Sequence, residues 1–131
     1  MKYLSFIRHS ESFRDTPPPP ALMQAMQVHM DQSFKDGSLV DTGGLLPSKD
    51  GARLRLDEGK ITVTDGPFAE SKEVIGGWAI LNAETKADAI RFATAFLELH
   101  RKHWPEFVGE CEVRPMFEPM ASPHAAKGGA R

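Results

Sequence analysis

The apolar residues of this chain keep two different periods, and the order in which those periods alternate limits the fold more than any other feature. Residues Lys2 to Arg8 alternate, with Tyr3, Ser5 and Ile7 set against Leu4 and Phe6, which predicts a strand with at least one covered side. From Ala21 to Lys35 the residues Leu22, Met23, Met26, Met30 and Phe34 recur at steps of three and four and form one stripe of a helix. Asp36-Gly37 ends it, because glycine can take the left-handed conformation of a C-terminal cap. A second strand is expected from Ser38 to about Leu46. Arg53 to Leu56 and Ile61 to Thr64 flank Asp57-Glu58-Gly59-Lys60, a hairpin with glycine placed for positive φ. Val74 to Leu81 reads as a further strand, whose Gly76-Gly77 permits a bulge or a close backbone approach. Thr85 caps a second helix, with Ile90, Ala93, Phe96, Leu97 and Trp104 on its apolar face and Pro105 at its end. Val108 to Met116 alternates again, with Cys111 and Val113 inward, and supplies the closing strand.

Strand, helix, several strands, helix, strand implies an α+β sandwich in which two helices pack on one face of a mainly antiparallel sheet. That arrangement leaves the other face bare. A second copy of the chain is the simplest cover, so a homodimer enclosing a cavity between two sheets is expected.

Composition narrows the partners. The 131 residues carry 16 Lys and Arg against 18 Asp and Glu, a net charge of −2, which lacks the clustered basic excess that phosphate-backbone binding needs. Nucleic acid is therefore not an expected partner. The short apolar run of Met1 to His9 is too brief for a signal peptide or a membrane span, so no membrane association is expected. The single cysteine, Cys111, cannot form an intramolecular disulfide, which suits a reducing compartment and a cytoplasmic location. The length fits one domain, read as residues 1–118, followed by a mobile tail at 119–131 that lacks periodicity. No phosphate loop, dinucleotide glycine fingerprint or Gly-x-Ser-x-Gly elbow is present, and no cofactor is expected.

The segment Asp65-Gly66-Pro67-Phe68-Ala69-Glu70-Ser71-Lys72-Glu73, the Gly76-Gly77-Trp78 step and, downstream, Glu112-Val113-Arg114-Pro115 form a specific combination. It resembles the DGPF-motif branch of the YCII-related family, over roughly the whole domain from Met1 to Met116. The resemblance implies a ferredoxin-like fold that dimerises into an α+β barrel. Most members are uncharacterised. A few relatives in the wider family act on small ring compounds through a His/Asp acid–base pair, and some DGPF-type domains are associated with sigma factors. The resemblance thus implies either cofactor-independent acid–base chemistry on a cyclic or phenolic molecule, or a non-catalytic dimeric module for a small ligand or a regulatory role.

His29 is the histidine that matches the helix member of that pair. It lies at Met26+3, on the edge of the apolar stripe, and an imidazole can give or take a proton near neutral pH. The structural alternative is a satisfied histidine at the helix–sheet boundary. For the carboxylate there are two candidates. Asp65 opens a turn in which it could accept backbone N–H bonds while Gly66 takes positive φ, or be held at the cavity mouth. Asp41, beside Gly43-Gly44, follows the helix as the family's acid does, and the choice between the two stays open. Phe68, Trp78 and His9 are candidate ligand-binding residues, the aromatics being equally readable as core and His9 as a loop histidine. His100 and His103 stand three apart on a helix but no further ligands complete a metal set, so they read as surface residues and no metal site is expected. Cys111 reads as a small core residue rather than a nucleophile.

Overall fold

The computed structural model describes residues 1–10, 17–68 and 73–117. The tail at 119–131, residues 11–16 of the proline-ended loop and residues 69–72 of the motif lie outside the described residues. Along the chain run β1 (Lys2–His9), α1 (Pro20–Asp36), β2 (Leu39–Gly44), a 3-10 turn (Ser48–Asp50), β3 (Ala52–Asp57), β4 (Lys60–Asp65), β5 (Val74–Asn82), α2 (Lys86–His103) and β6 (Gly109–Pro115). A four-stranded sheet has the order β2-β5-β1-β6, with every neighbouring pair antiparallel. With a helix after β1 and another after β5, this is the ferredoxin-like α+β arrangement. The expected fold class is present in the chain. The hairpin is the exception to a single sheet, since β3 and β4 pair only with each other.

The alternation of β1 sorts its side chains between two faces. Tyr3, Ser5, Ile7 and His9 are buried on one side, and Leu4, Phe6 and Arg8 are half-buried on the other. Tyr3 lies opposite Leu81, and these two join Leu39 and the Ala89 of α2 in a core cluster against which Met30, Phe92 and Val113 pack. The helices therefore cover the Tyr3 side. On the other side Phe6 pairs with Trp78 and Leu4 with Ile80, while Arg8 bonds Glu112 at 2.8 Å and Glu110 at 3.2 Å.

Local chemistry accounts for the element ends. Gly37 caps α1 with φ 85°, where a Cβ would be strained. Glu58 and Gly59 both have positive φ, the conformation of the tight turns that join twisted strands. Thr85 caps α2 by accepting a hydrogen bond from the Asp88 N–H at 3.2 Å.

Gly66 departs from the expectation. Among the described residues the glycines with positive φ are Gly37 and Gly59. Gly66 is needed for space instead, because a Cβ there would lie 1.6 Å from the Ser48 carbonyl oxygen. Its N–H donates to the Gly51 carbonyl at 2.9 Å, and the Phe68 N–H donates to Ser48 Oγ at 3.3 Å. The Asp-Gly-Pro-Phe turn thus docks the ribbon onto the 3-10 turn. On the ribbon, Leu54 faces Val63 and Leu56 faces Ile61, and all four are between 63% and 72% exposed. A two-stranded ribbon is marginal on its own in water, and no described element covers this apolar face.

Candidate functional site

A cavity of about 410 Å³ lies between the helices and the sheet they cover. Ser5, Ile7 and His9 of β1 and Gly76, Gly77 and Ala79 of β5 line it from the sheet, Met26, His29 and Met30 from α1, and Phe92, Phe96 and His100 from α2. Trp78, Trp104, Phe107 and Cys111 complete much of the remaining wall. Its size is that of a small-molecule site. Among the described residues the lining contains no Lys, Arg, Asp or Glu. The polar side chains of its lining are three imidazoles, the hydroxyls of Ser5 and Thr42, two tryptophans and the Cys111 thiol.

His29 enters this cavity because α1 places it one turn after Met26, on the helix edge that turns toward α2. Its ring stands 5.0 Å from that of Phe92. Nε2 is buried and has no hydrogen-bond partner among the described residues. Leaving a buried polar atom unpaired costs on the order of 1–3 kcal/mol, a cost that a ligand group bonded there would remove. Burial pushes the His29 pKa below its ordinary value, partly opposed by the negative charge of Asp36. A neutral imidazole at neutral pH can act as a base.

His9 ends β1 with its Nδ1 donating to the Ser10 carbonyl at 2.9 Å. Its space comes from Gly76, where a Cβ would lie 2.1 Å from His9 Nε2. The Gly76-Gly77 pair also coincides with the register shift between Ile7 and Arg8. The glycine step therefore makes a bulge and admits the imidazole together.

His100, expected at the surface, is instead buried, with 7% of its area exposed. Its Nδ1 donates to the Phe96 carbonyl at 3.0 Å, and its ring packs between Phe96 and Phe107 at centroid distances of 4.8 and 4.7 Å. Burial lowers its pKa, the Phe96 carbonyl raises it, and the neighbouring His9 lowers it further. The helix spacing carries the signal: Ala93, Phe96, His100 and Trp104 follow at steps of three, four and four, whereas Ile90, placed on the apolar face, is 46% exposed.

Of the candidate set, the structure brings His29, His9 and Trp78 to one cavity. Asp41 pairs with Ile80 on the opposite face of the sheet, is exposed, and accepts the Thr42 N–H at 2.9 Å. Asp65 is exposed at the end of the ribbon. Phe68 lies under the Arg53 guanidinium, 4.1 Å from ring centroid to charge, and does not line the cavity. The carboxylate whose charge reaches His29 is Asp36, seven residues on along α1, held by the Ser38 N–H at 2.8 Å and lowered in pKa by Ser38. Cys111, opposite Ile7 on β6, has its thiol pushed up to about 11 by burial, which leaves it unreactive at neutral pH. Among the described residues no group of three or more His, Cys, Asp or Glu converges as a metal set, and no helix is long and apolar enough to cross a membrane.

Fold and cavity together define a ferredoxin-like α+β domain with a histidine-bearing pocket under its helices, whose described lining carries no Lys, Arg, Asp or Glu. The family model of the YCII-related domain matches residues 1–96, and the chain belongs to that family. An uncharacterised protein of Rhizobium meliloti (strain 1021) is 32% identical over 80 residues, which are 61% of this chain and 60% of that protein. The chain therefore spans about 60% of the length of that curated relative. Among solved structures the de novo designed protein Foldit4 overlays with a TM-score of 0.43 at 12% identity, covering 88% of this chain and 99% of that one. A score at that level adds nothing to the fold assignment, which rests on the strand order.

Proposed function

We propose that the chain is a cofactor-independent enzyme that binds a small cyclic organic molecule in the cavity beneath the helices, with His29 as its general base or acid. The observation that carries this reading is the buried His29 Nε2, without a hydrogen-bond partner among the described residues, on a residue that lines an apolar cavity. Burial holds the imidazole neutral, and its charge when protonated is balanced at longer range by Asp36. Membership of the YCII-related family supports the reading, since a few relatives in the wider family use a histidine and an acid. Here Asp41 and Asp65 keep the role of candidate partners only if closure of the ribbon or a second subunit brings one of them to the cavity. The exposure of both favours a second reading, a non-catalytic small-ligand module in which His29 anchors the ligand and the Asp-Gly-Pro-Phe turn holds the ribbon.

A thermal-shift screen of small neutral ring compounds against the wild type and His29→Ala tests this. The expected result is a compound that raises the wild-type melting temperature, with the shift lost in His29→Ala. Conversion of that compound by the wild type alone marks the enzyme, and its recovery unchanged marks the binding module. Compounds that stabilise both proteins equally would remove His29 from the site.

We also propose a homodimer, with a second copy over the face carrying Leu4 and Ile80 and over the exposed ribbon residues, and a cytoplasmic setting suited to the lone thiol. Sedimentation at micromolar concentration should give twice the chain mass. A monomer would remove the dimer while leaving the within-chain cavity in place.

A further inference from the structure

We propose that His100 is a ligand-positioning residue whose Nε2 accepts a hydrogen bond from an uncharged ligand, and that the cavity selects neutral molecules carrying a hydroxyl or N–H donor. The inference rests on the reading of the cavity as a ligand site but not on catalysis by His29. It starts from the tautomer. The His100 Nδ1 is committed as a donor to the Phe96 carbonyl at 3.0 Å, so in the neutral ring the lone pair resides on Nε2. Phe96 and Phe107 both pack against the ring, at centroid distances of 4.8 and 4.7 Å, which restrains where that lone pair points. The ring is buried and belongs to the cavity lining, so a ligand in the cavity is the partner proposed for Nε2. Burial keeps the ring neutral at neutral pH, and a neutral Nδ1–H imidazole offers the cavity an acceptor.

The rest of the wall sets the charge of the ligand. No Lys or Arg lines the cavity among the described residues, so a carboxylate or phosphate would be taken out of water with no cation to meet it, which is costly. No Asp or Glu among the described residues lines it either, which excludes an ammonium group on the same ground. Flat neutral molecules find Phe92, Phe96 and Trp104 for their rings. Recognition of the polar atom then falls to the imidazoles and the two hydroxyls, and the His100 Nδ1, like that of His9, is committed to a backbone carbonyl, while the His100 ring is also held by Phe96 and Phe107.

Three probes of nearly equal shape separate these claims in calorimetric titrations of the full chain at pH 7.5: indole, 1-methylindole and indole-3-carboxylate. Indole should bind about three to ten times more tightly than 1-methylindole, the factor expected for one hydrogen bond. Indole-3-carboxylate should bind at least about a hundredfold more weakly than indole. In His100→Phe the preference for indole over 1-methylindole should vanish while 1-methylindole still binds, which shows that the cavity persists. His100→Gln, which keeps an acceptor oxygen, should restore part of the preference. Loss of the preference in His29→Phe and its retention in His100→Phe would assign the acceptor to His29 and overturn the inference. Carboxylate binding as tight as that of indole would overturn the neutral-ligand class. If indole and 1-methylindole both fail to bind, the ligand-cavity reading falls as well; if they bind without discrimination, only this inference falls.

Discussion

Replacing Gly76 by alanine should lower the stability of the protein by about 1–3 kcal/mol and turn His9 out of the cavity, although it adds a single methyl group to a strand. The methyl carbon would sit 2.1 Å from His9 Nε2 and 2.7 Å from its Cδ2, well inside contact distance. The obstacle is a side chain rather than backbone, so the ring can leave. Leaving has consequences: His9 is 7% exposed, donates to the Ser10 carbonyl and stacks edge-on against Phe107 at 6.0 Å. A rotated ring gives up the packing against Phe107, which also supports His100. Chemical denaturation of Gly76→Ala in the wild-type and His9→Ala backgrounds isolates the cause. The cost should be large in the first and fall below about 0.5 kcal/mol in the second, because the two sites are in contact and their effects do not add. Gly44→Ala is the control, since no atom lies within 4 Å of a Cβ there.

Acidification should destabilise the protein well before its carboxylates are protonated. His29 and His100 both titrate below their ordinary value of 6.5 in the folded chain, His29 through burial partly offset by Asp36, His100 through burial partly offset by the Phe96 carbonyl. Unfolding releases both to ordinary values, so below about pH 6.5 the unfolded chain binds protons that the folded chain refuses. Stability is then complete above about pH 7.5, falls as the pH drops through 6.5, and stops falling for each ring once its depressed folded pKa is passed. The limiting slope is about 1.4 kcal/mol per pH unit for each proton taken up, and partial exposure keeps the His29 share below that limit. Asp36, whose folded pKa is also lowered, loses its contribution only as the pH falls below the carboxylate range, outside this window. Urea midpoints between about pH 7.5 and 5 should fall in the wild type, fall less in His29→Phe or His100→Phe, and stay nearly level in the double variant. A flat wild-type profile would mean that neither ring is held neutral by the fold.

Features encoded by neighbours along the chain are legible in the amino-acid sequence. Gly37, Gly59 and Thr85 act through bonds within a few residues of themselves, and each does what its local sequence implies. The strand alternation of β1 is equally readable, because a single well-covered face imposes period two on the whole strand. What is not legible depends on packing between distant elements. His9 looks like a loop histidine until Gly76, 67 positions away, is seen to make room for it across the β1–β5 pair. His100 looks like a surface residue until the buried stripe of α2 is found to run beside the one drawn through Ile90. Gly66 carries a turn signal, yet its need for a missing side chain comes from Ser48, which no local rule connects to it. The cavity within one chain is not legible either, because it depends on the glycines of β2 and β5 and the short residues Ser5 and Ala79, which leave space beneath helices distant in sequence.

The most direct measurement is a nitrogen NMR titration of the histidine side chains with indole, with separate signals assigned for His9, His29, His100 and His103. The within-chain cavity predicts that the ring nitrogens of His29 and His100 shift in a saturable manner with a common affinity, while His103, which is outside the lining, does not move. Saturable binding that leaves His29 and His100 unchanged, or that shifts His103 alone, would contradict the account.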